Sequence, residues 1–342
     1  MKKNKIRVGF THGDINGIGY EILIKAFINS QINDLITPIV YGSAKVAAYH
    51  RKTLNIQNFS FNQIISVDRA NPKRPNLVNC VDNSISVDIG QVTAQAGQSA
   101  IHSIQCALKD IKDGKIDVLV TLPIHKLSIH SDKFQFKGHT DFLKDFFNSN
   151  EVLMFMVSEN IKIGLVTEHI ALEDVKRHIT KEKIISKLQM IHKSLQTDFL
   201  FRKPKIAVLG LNPHAGDKGI IGEEDEKIIV PAIKEANNKN ILAFGPFAAD
   251  GFFGSGNYLK FDAILAMYHD QGLIPFKIFS FEHGVNFTAG LPIVRTSPNH
   301  GVGFDIAGKG QASSASLLEA IYKAIDIYRN RKLNKELQRN AL

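Results

Sequence analysis

Cysteine is nearly absent from this chain of 342 residues: only Cys80 and Cys106 occur, far apart and without metal-type spacing. That argues against a disulfide scaffold and a cysteine zinc site, and fits thiols kept reduced in a cytosol. No apolar run approaches the length a bilayer span requires, so no membrane partner is expected. The N-terminal Met1-Lys-Lys-Asn-Lys5 leads straight into the strand-like Ile6–Phe10, with neither the long apolar region nor the small-residue cleavage site of a leader. A cytoplasmic location is the expectation. Internal repeats and low-complexity tracts are also missing. The formal charge is +9, yet no zinc finger, basic zipper or RNA-recognition signature accompanies it, and the densest basic group, Tyr328-Arg-Asn-Arg-Lys332, falls in a C-terminal helical pattern. The reading is a solvated basic surface with no nucleic-acid partner, whose field favours an anionic substrate and cofactor.

What is present is alternation. Ile6–Phe10, Pro38–Tyr41, Ile116–Thr121, Val152–Val157, Ile161–Thr167, Lys205–Gly210, Ile241–Phe244 and Phe261–Met267 read as short strands. Helical patterns lie between them. In Thr93–Lys112 the residues Ala100, Ile101, Ile104, Leu108 and Ile111 share one face, Thr180–Gln196 opens on a threonine suited to an N-cap, and Ser314–Arg329 closes the series. Asp68–Asn79 is the strongest loop candidate of the N-terminal half. The alternation predicts an α/β protein with largely parallel sheets covered by helices.

Histidines follow three of these strands. His169 comes after Ile161–Thr167, His214 lies in Leu211-Asn-Pro-His-Ala-Gly216 after Lys205–Gly210, and His269 lies in Ala266-Met-Tyr-His-Asp-Gln-Gly272 after Phe261–Met267. The carboxyl ends of strands are where open α/β sheets bind ligands. Three imidazoles there could converge on a divalent metal, with Asp270 and Gln271 orienting His269 from behind. Spacings of 45 and 55 residues do not prove that they meet, and the ordinary alternative is three hydrogen-bonded structural histidines. The acids of Gly222-Glu-Glu-Asp225 read as helix-start residues placed by the dipole, not as metal ligands.

Other segments suit an anionic ligand. Gly138-His-Thr-Asp141 opens a helical stretch (Thr140–Phe147) whose free N–H groups, with His139 and Thr140, could hold a phosphate or carboxylate. Lys277, Asn286 and Arg295 recur at nine-residue intervals, an ammonium, an amide and a guanidinium fitted to a phosphate and a carboxylate. Gly13-Asp-Ile-Asn-Gly17-Ile-Gly19 sits between a strand and a helix, but its spacing is neither the dinucleotide fingerprint nor a P-loop. A nicotinamide cofactor would therefore not be held by a standard Rossmann turn. Gly301–Gly310 is a second glycine-dense turn, where Gly301, Gly303 and Gly308 are candidate cofactor contacts.

In order along the chain, several segments resemble the 4-hydroxythreonine-4-phosphate dehydrogenase family of pyridoxal 5′-phosphate biosynthesis. They are Gly13-Asp-x-x-Gly-Ile-Gly-x-Glu21, Thr121-x-Pro-x-x-Lys126, Gly138-His-Thr140, Gly210-Leu-Asn-Pro-His-Ala-Gly216, Phe244-Gly-Pro-x-x-Ala-Asp250, Ala266-Met-Tyr-His-Asp-Gln-Gly-Leu273, Gly290-Leu-Pro-x-x-Arg-Thr-Ser297 and Asp305-Ile-Ala-Gly-Lys-Gly310. The resemblance implies two α/β/α domains flanking a cleft, like the isocitrate and isopropylmalate dehydrogenases. One domain would comprise 1–140 with 305–342, and the other 141–304, carrying the histidines and the dimer contacts. It implies a homodimer and one divalent metal per site (zinc, magnesium or cobalt) on His169, His214 and His269, with ligands from both subunits. Substrate contacts carry over to His139, Thr140, Lys277, Asn286 and Arg295. Asp250, after a strand and a turn, is the candidate general base.

The implied reaction is oxidation of 4-phosphooxy-L-threonine by NAD, with NADP open, followed by decarboxylation to 3-amino-2-oxopropyl phosphate. The sequence departs from the family's usual pattern at Asp141 (commonly Glu), at Gly251-Phe-Phe253 and at Asn299-His-Gly-Val302. The competing readings are a sister dehydrogenase of phosphorylated D-threonate or D-erythronate, a phosphate acyltransferase, and a non-catalytic metabolite-binding protein.

Overall fold

The computed structural model describes residues 5–28, 31–82, 84–131, 134–136 and 138–340. The chain forms two compact units, Met1–Asn148 with Pro292–Tyr328, and Ser149–Leu291 with Arg329–Leu342. The sequence reading set its boundaries at 140 and 305. Strands are numbered β1–β12 in chain order.

The first unit holds β1 (Ile6–Thr11), β2 (Ile36–Gly42), β3 (Asn62–Ile64), β4 (Asn76–Asn79), β5 (Val118–Thr121) and β12 (Arg295–Pro298), in the order β3-β4-β2-β1-β5-β12. Every pairing among them is parallel. A parallel sheet is covered on both faces, and the sequence obeys: all of β2 and β5 is buried. Helix Ala94–Lys112 begins where Thr93 Oγ1 accepts the Ala96 N–H, and it buries Ala100, Ile104, Leu108 and Ile111. Ile101 is only half-buried, at the edge of that apolar stripe. The polar stretch Asp68–Asn79 is not all loop, because its last four residues are β4. Asn76 makes this possible. Its amide is fully buried and donates to the carbonyls of Pro38, Asn71 and Arg74, while its Oδ1 accepts from Asn71 N and Asn62 Nδ2. A polar side chain fully paired inside costs little, so composition hid a strand.

The second unit holds β6 (Leu153–Val157), β7 (Lys162–Leu165), β8 (Lys205–Leu209), β9 (Leu242–Phe247), β10 (Ala263–Ala266) and β11 (Val285–Ala289), in the order β11-β6-β7-β10-β8-β9. Here β6 runs antiparallel to both neighbours, while β7, β10, β8 and β9 are mutually parallel. Met156, Ile163, Leu165, Leu209, Ile264 and Phe276 share one buried cluster. Truncating a side chain such as Phe276 there would cost about 3–5 kcal/mol. Helix Lys181–Thr197 is capped by Thr180, as the sequence suggests. The C-terminal helix, Ala315–Asn340, runs past the expected end at Arg329. Arg331 donates from Nε to Oδ1 of the nearly buried Asp198 at 2.6 Å, and Asn330 Nδ2 donates to the Asp198 carbonyl, which holds the added turns.

Candidate active site

In the second unit the parallel ladder of β7 and β10 decides which histidines meet. Ile163 pairs with Ile264 and Leu165 with Ala266, and pairing continues past the strand ends. Val166 N donates to Ala266 O at 2.9 Å, and Thr167 gives both its N–H and its hydroxyl to Met267 O. The two chains therefore leave the sheet side by side. The imidazoles of His169 and His269 arrive with ring centroids 5.7 Å apart and planes tilted by 44°.

The residues around His269 divide the labour. Asp270 Oδ1 lies 2.7 Å from His269 Nδ1, which leaves Nε2 as the ring nitrogen for a ligand. Gln271 does not orient the imidazole. Its Oε1 accepts the Met267 N–H at 2.7 Å, and its Nε2 donates to Gly210 O at 2.6 Å. One amide thus ties the end of β10 to the end of its other neighbour, β8.

His214 lies beyond Gly210, in a turn with unusual backbone. His214, Ala215, Gly216, Asp217 and Lys218 all have positive φ (54°, 51°, 79°, 40° and 55°). Each non-glycine residue there costs about 1–2 kcal/mol, so surrounding bonds must hold the turn. Asp225 supplies them. Wholly buried, it accepts from Leu211 N at 2.8 Å, Asn212 N at 3.1 Å and Asn212 Nδ2 at 2.9 Å. The acid read from sequence as a helix-start residue does open the turn Asp225–Ile229, but its carboxylate reaches back to brace the histidine loop. Beside it, Glu224 pairs with Lys176 and accepts from Asn212 Nδ2, which lowers its pKa to about 2.

A cavity of about 560 Å³ is lined by Glu168, His169, Tyr268, His269 and Asp270 together with Leu172 and Val175. A second, of about 550 Å³, shares Leu172, Val175 and Tyr268 and adds Asn212, Gly222 and Glu224. Among the described residues no group of three or more His, Cys, Asp or Glu side chains is placed to hold a metal ion. One chain brings His169 and His269 together, and His214 does not join them in a three-ligand group. The donor set still suits a divalent ion: two imidazoles, one of them backed by a carboxylate.

Lys277 is exposed on helix His269–Ser280, two turns beyond His269. On β11, Asn286 has a buried Oδ1 without a hydrogen-bond donor among the described residues. Asp250 is exposed on the first turn of Ala249–Gly254.

The first unit holds the other predicted contacts. Arg295 pairs by register with Leu119, which places it beside Thr121 on the adjoining strand. Its guanidinium is buried at 3% exposure, and Nε and Nη2 donate to Thr121 Oγ1 at 2.9 and 2.6 Å. Burial lowers its pKa to about 9, so it keeps its charge at neutral pH. His139, at the start of helix His139–Phe146, is held well below its ordinary value by burial first and by the Arg295 charge second. A neutral imidazole beside a buried cation suits an anion, which gains the charge while the ring serves as a hydrogen-bond partner. Thr140 follows on the same turn.

The two glycine-rich segments meet within this unit. Ile18 N donates to Val302 O at 3.0 Å, and a Cβ on Gly17 would lie 2.6 Å from that oxygen. Gly303 and Gly308 have φ of +62° and +74°, a backbone conformation that favours glycine, whereas Gly301 faces open space. Next to them Ser128 Oγ donates to Asp14 Oδ2 at 3.0 Å, and burial raises the Asp14 carboxyl pKa. Asp14 belongs to the first glycine motif but Ser128 to none, and nothing along the sequence says that they touch.

These features define a class: an α/β protein whose polar clusters stand at the carboxyl ends of parallel strands, with paired histidines in one unit and a buried cation in the other. The chain matches, over residues 34–324, the family described as pyridoxal phosphate biosynthetic protein PdxA, and it belongs to that family. It is 50% identical over its full length to a 4-hydroxythreonine-4-phosphate dehydrogenase of Bacteroides thetaiotaomicron, covering 94% of that protein. It is 36% identical, over 96% of its length and 99% of the relative, to a putative D-threonate 4-phosphate dehydrogenase of Oceanobacillus iheyensis. A crystal structure of a 4-hydroxythreonine-4-phosphate dehydrogenase from Klebsiella pneumoniae superposes with a TM-score of 0.83 at 31% identity, covering 96% of this chain and 99% of that one. The chain is thus a member of a dehydrogenase family of pyridoxal phosphate biosynthesis.

Proposed function

We propose that the protein oxidises the C3 hydroxyl of 4-phosphooxy-L-threonine with NAD, or NADP in its place, and that the β-keto acid formed loses carbon dioxide to give 3-amino-2-oxopropyl phosphate. The observation that carries this reading is the His169–His269 pair, set by the β7–β10 ladder and backed by Asp270, in a chain half-identical to a 4-hydroxythreonine-4-phosphate dehydrogenase. A divalent ion (zinc, magnesium or cobalt) on His169, His214 and His269 would supply Lewis-acid polarisation of the substrate oxygens. Because one chain pairs only two of the three imidazoles, the reading draws ligands from two subunits.

Arg295 and Lys277 neutralise the phosphate and carboxylate, His139 and Thr140 position the substrate, and Asn286 offers its unpaired acceptor to the substrate amine. Asp250 takes the hydroxyl proton as general base. Gly301, Gly303 and Gly308 would hold the dinucleotide, which would supply the acceptor for the C3 hydride. A homodimer is supported by Ile274, Ile278 and Phe281, exposed apolar residues on and just after the helix that begins at His269.

The test follows NADH formation from NAD and 4-phosphooxy-L-threonine, before and after metal is stripped with a chelator. Turnover lost on stripping and restored by a divalent ion supports the proposal. A metal-replete protein that forms no NADH sinks it. The second reading, phosphorylated D-threonate or D-erythronate as substrate, is supported by the Oceanobacillus relative. Comparing kcat/KM on the two substrates separates them.

A further inference from the structure

The two cysteines, 26 positions apart in sequence, touch in the first unit, where the thiol of one hydrogen-bonds the other. The contact follows from the fold. Cys80 comes directly after β4, and its N–H donates to Gly42 O at the end of β2. Cys106 lies on helix Ala94–Lys112, nearly one turn after Ser103, whose hydroxyl donates at 2.7 Å to Tyr41 O, the residue before Gly42. Both sulfurs therefore converge on the same strand end. Neither is in a disulfide, and both residues are half-buried, within reach of a small solute.

We propose that Cys80 and Cys106 are a reversible oxidation site, converted from dithiol to disulfide by a hydroperoxide. The surroundings assign the roles. The Cys80 thiol donates to Cys106, and this bond, helped by the Lys109 ammonium on the same helix, outweighs burial and the nearby Asp110 carboxylate, so the Cys106 pKa falls while that of Cys80 rises. Cys106 is the attacking thiolate and Cys80 the resolving thiol. In the first step Cys106 Sγ attacks the peroxide: the O–O bond breaks, an S–O bond forms, and the other oxygen leaves and is protonated to an alcohol or water. In the second, Cys80 Sγ attacks Cys106 Sγ: the S–S bond forms, the S–O bond breaks, and hydroxide departs with the Cys80 proton as water. Sulfur loses two electrons in all and the hydroperoxide gains them. The bridge would fix the middle of helix Ala94–Lys112 to the end of β4, closing a loop of the length for which cross-links stabilise appreciably. This inference is independent of the substrate proposed above.

The experiment treats the full native chain with hydrogen peroxide and follows free thiols, intact mass and the cross-linked peptide. The expected result is loss of both thiols together, a mass lower by two hydrogens, one peptide joining Cys80 to Cys106, and full reversal by dithiothreitol. The urea midpoint of the oxidised protein should rise and return on reduction. In C80S, a dimedone-trappable sulfenic acid should accumulate on Cys106; in C106S, peroxide consumption should slow at least tenfold. Wild-type protein that keeps both thiols, gains whole oxygens without a bridge, or cross-links between chains overturns the proposal without reliance on either variant.

Discussion

The two units solve the same problem of presenting polar groups from a sheet in opposite ways. In the first, every strand pairing is parallel and the key cation is buried: Arg295 at 3% exposure, with a neutral, half-buried His139 beside it. In the second, β6 runs against its neighbours, and His169 and His214 are exposed on turns past the strand ends. A buried cation is fixed before any ligand arrives, so it can select an anion at little cost in ordering. The imidazoles are instead held at the surface by the backbone of the turns that carry them. For His214 that turn is strained, and Asp225 is its brace.

Breaking the second unit's site should have the largest effect. His269→Ala should lower kcat at least about a hundredfold, beyond the ten- to hundredfold typical of losing a group behind a metal ligand. Steady-state rates at saturating divalent ion, with metal content by mass spectrometry, check it; near-wild-type turnover would remove His269 from the site. Arg295→Lys tests the first unit. It keeps the charge but not the two-pronged contact with Thr121, and should raise KM about ten- to hundredfold, the value of a charge-assisted hydrogen bond. An unchanged KM would show that the buried cation serves only the fold.

Acid sharpens the comparison further. His12 is wholly buried in the first unit, stacked on Tyr20, which is stacked in turn on His50. Burial lowers the pKa of His12 from 6.5 to about 4, and that of His50 in the same direction. The folded state therefore favours the neutral rings, while the unfolded chain takes up protons near 6.5. Stability is full above that pH and drains away as pH falls from 6.5 to about 4. The His12 share is up to about 3 kcal/mol. Urea melts across that range should show the slope, and His12→Phe should flatten it; an equal slope in the variant would place the acid lability elsewhere. The smallest effect is expected for Asp225→Asn, which keeps the shape but weakens the bonds to Leu211 and Asn212. A loss of about 1–2 kcal/mol in urea is the expectation, with faster hydrogen exchange confined to the 211–218 turn. Exchange spread over the whole second unit would mean that the brace serves the core.

The amino-acid order alone determined the alternation of strands and helices, the Thr93 and Thr180 caps and the position of each histidine just after a strand. All of these rest on local rules, hydrophobic period and end chemistry, that a sequence carries with it. It did not determine β4, because the pairing that makes Asn76 tolerable inside comes from segments up to 38 residues away. It gave Gln271 a part in orienting His269, whereas that amide spans 61 positions to clamp Gly210; it placed Asp225 correctly at a helix start but not the reach of its carboxylate back to the turn it braces. The pairing of His169 with His269 and the contact of Cys80 with Cys106 were likewise decided by tertiary structure. Which strands lie side by side depends on long-range register and burial, and no spacing along the chain encodes that neighbour order.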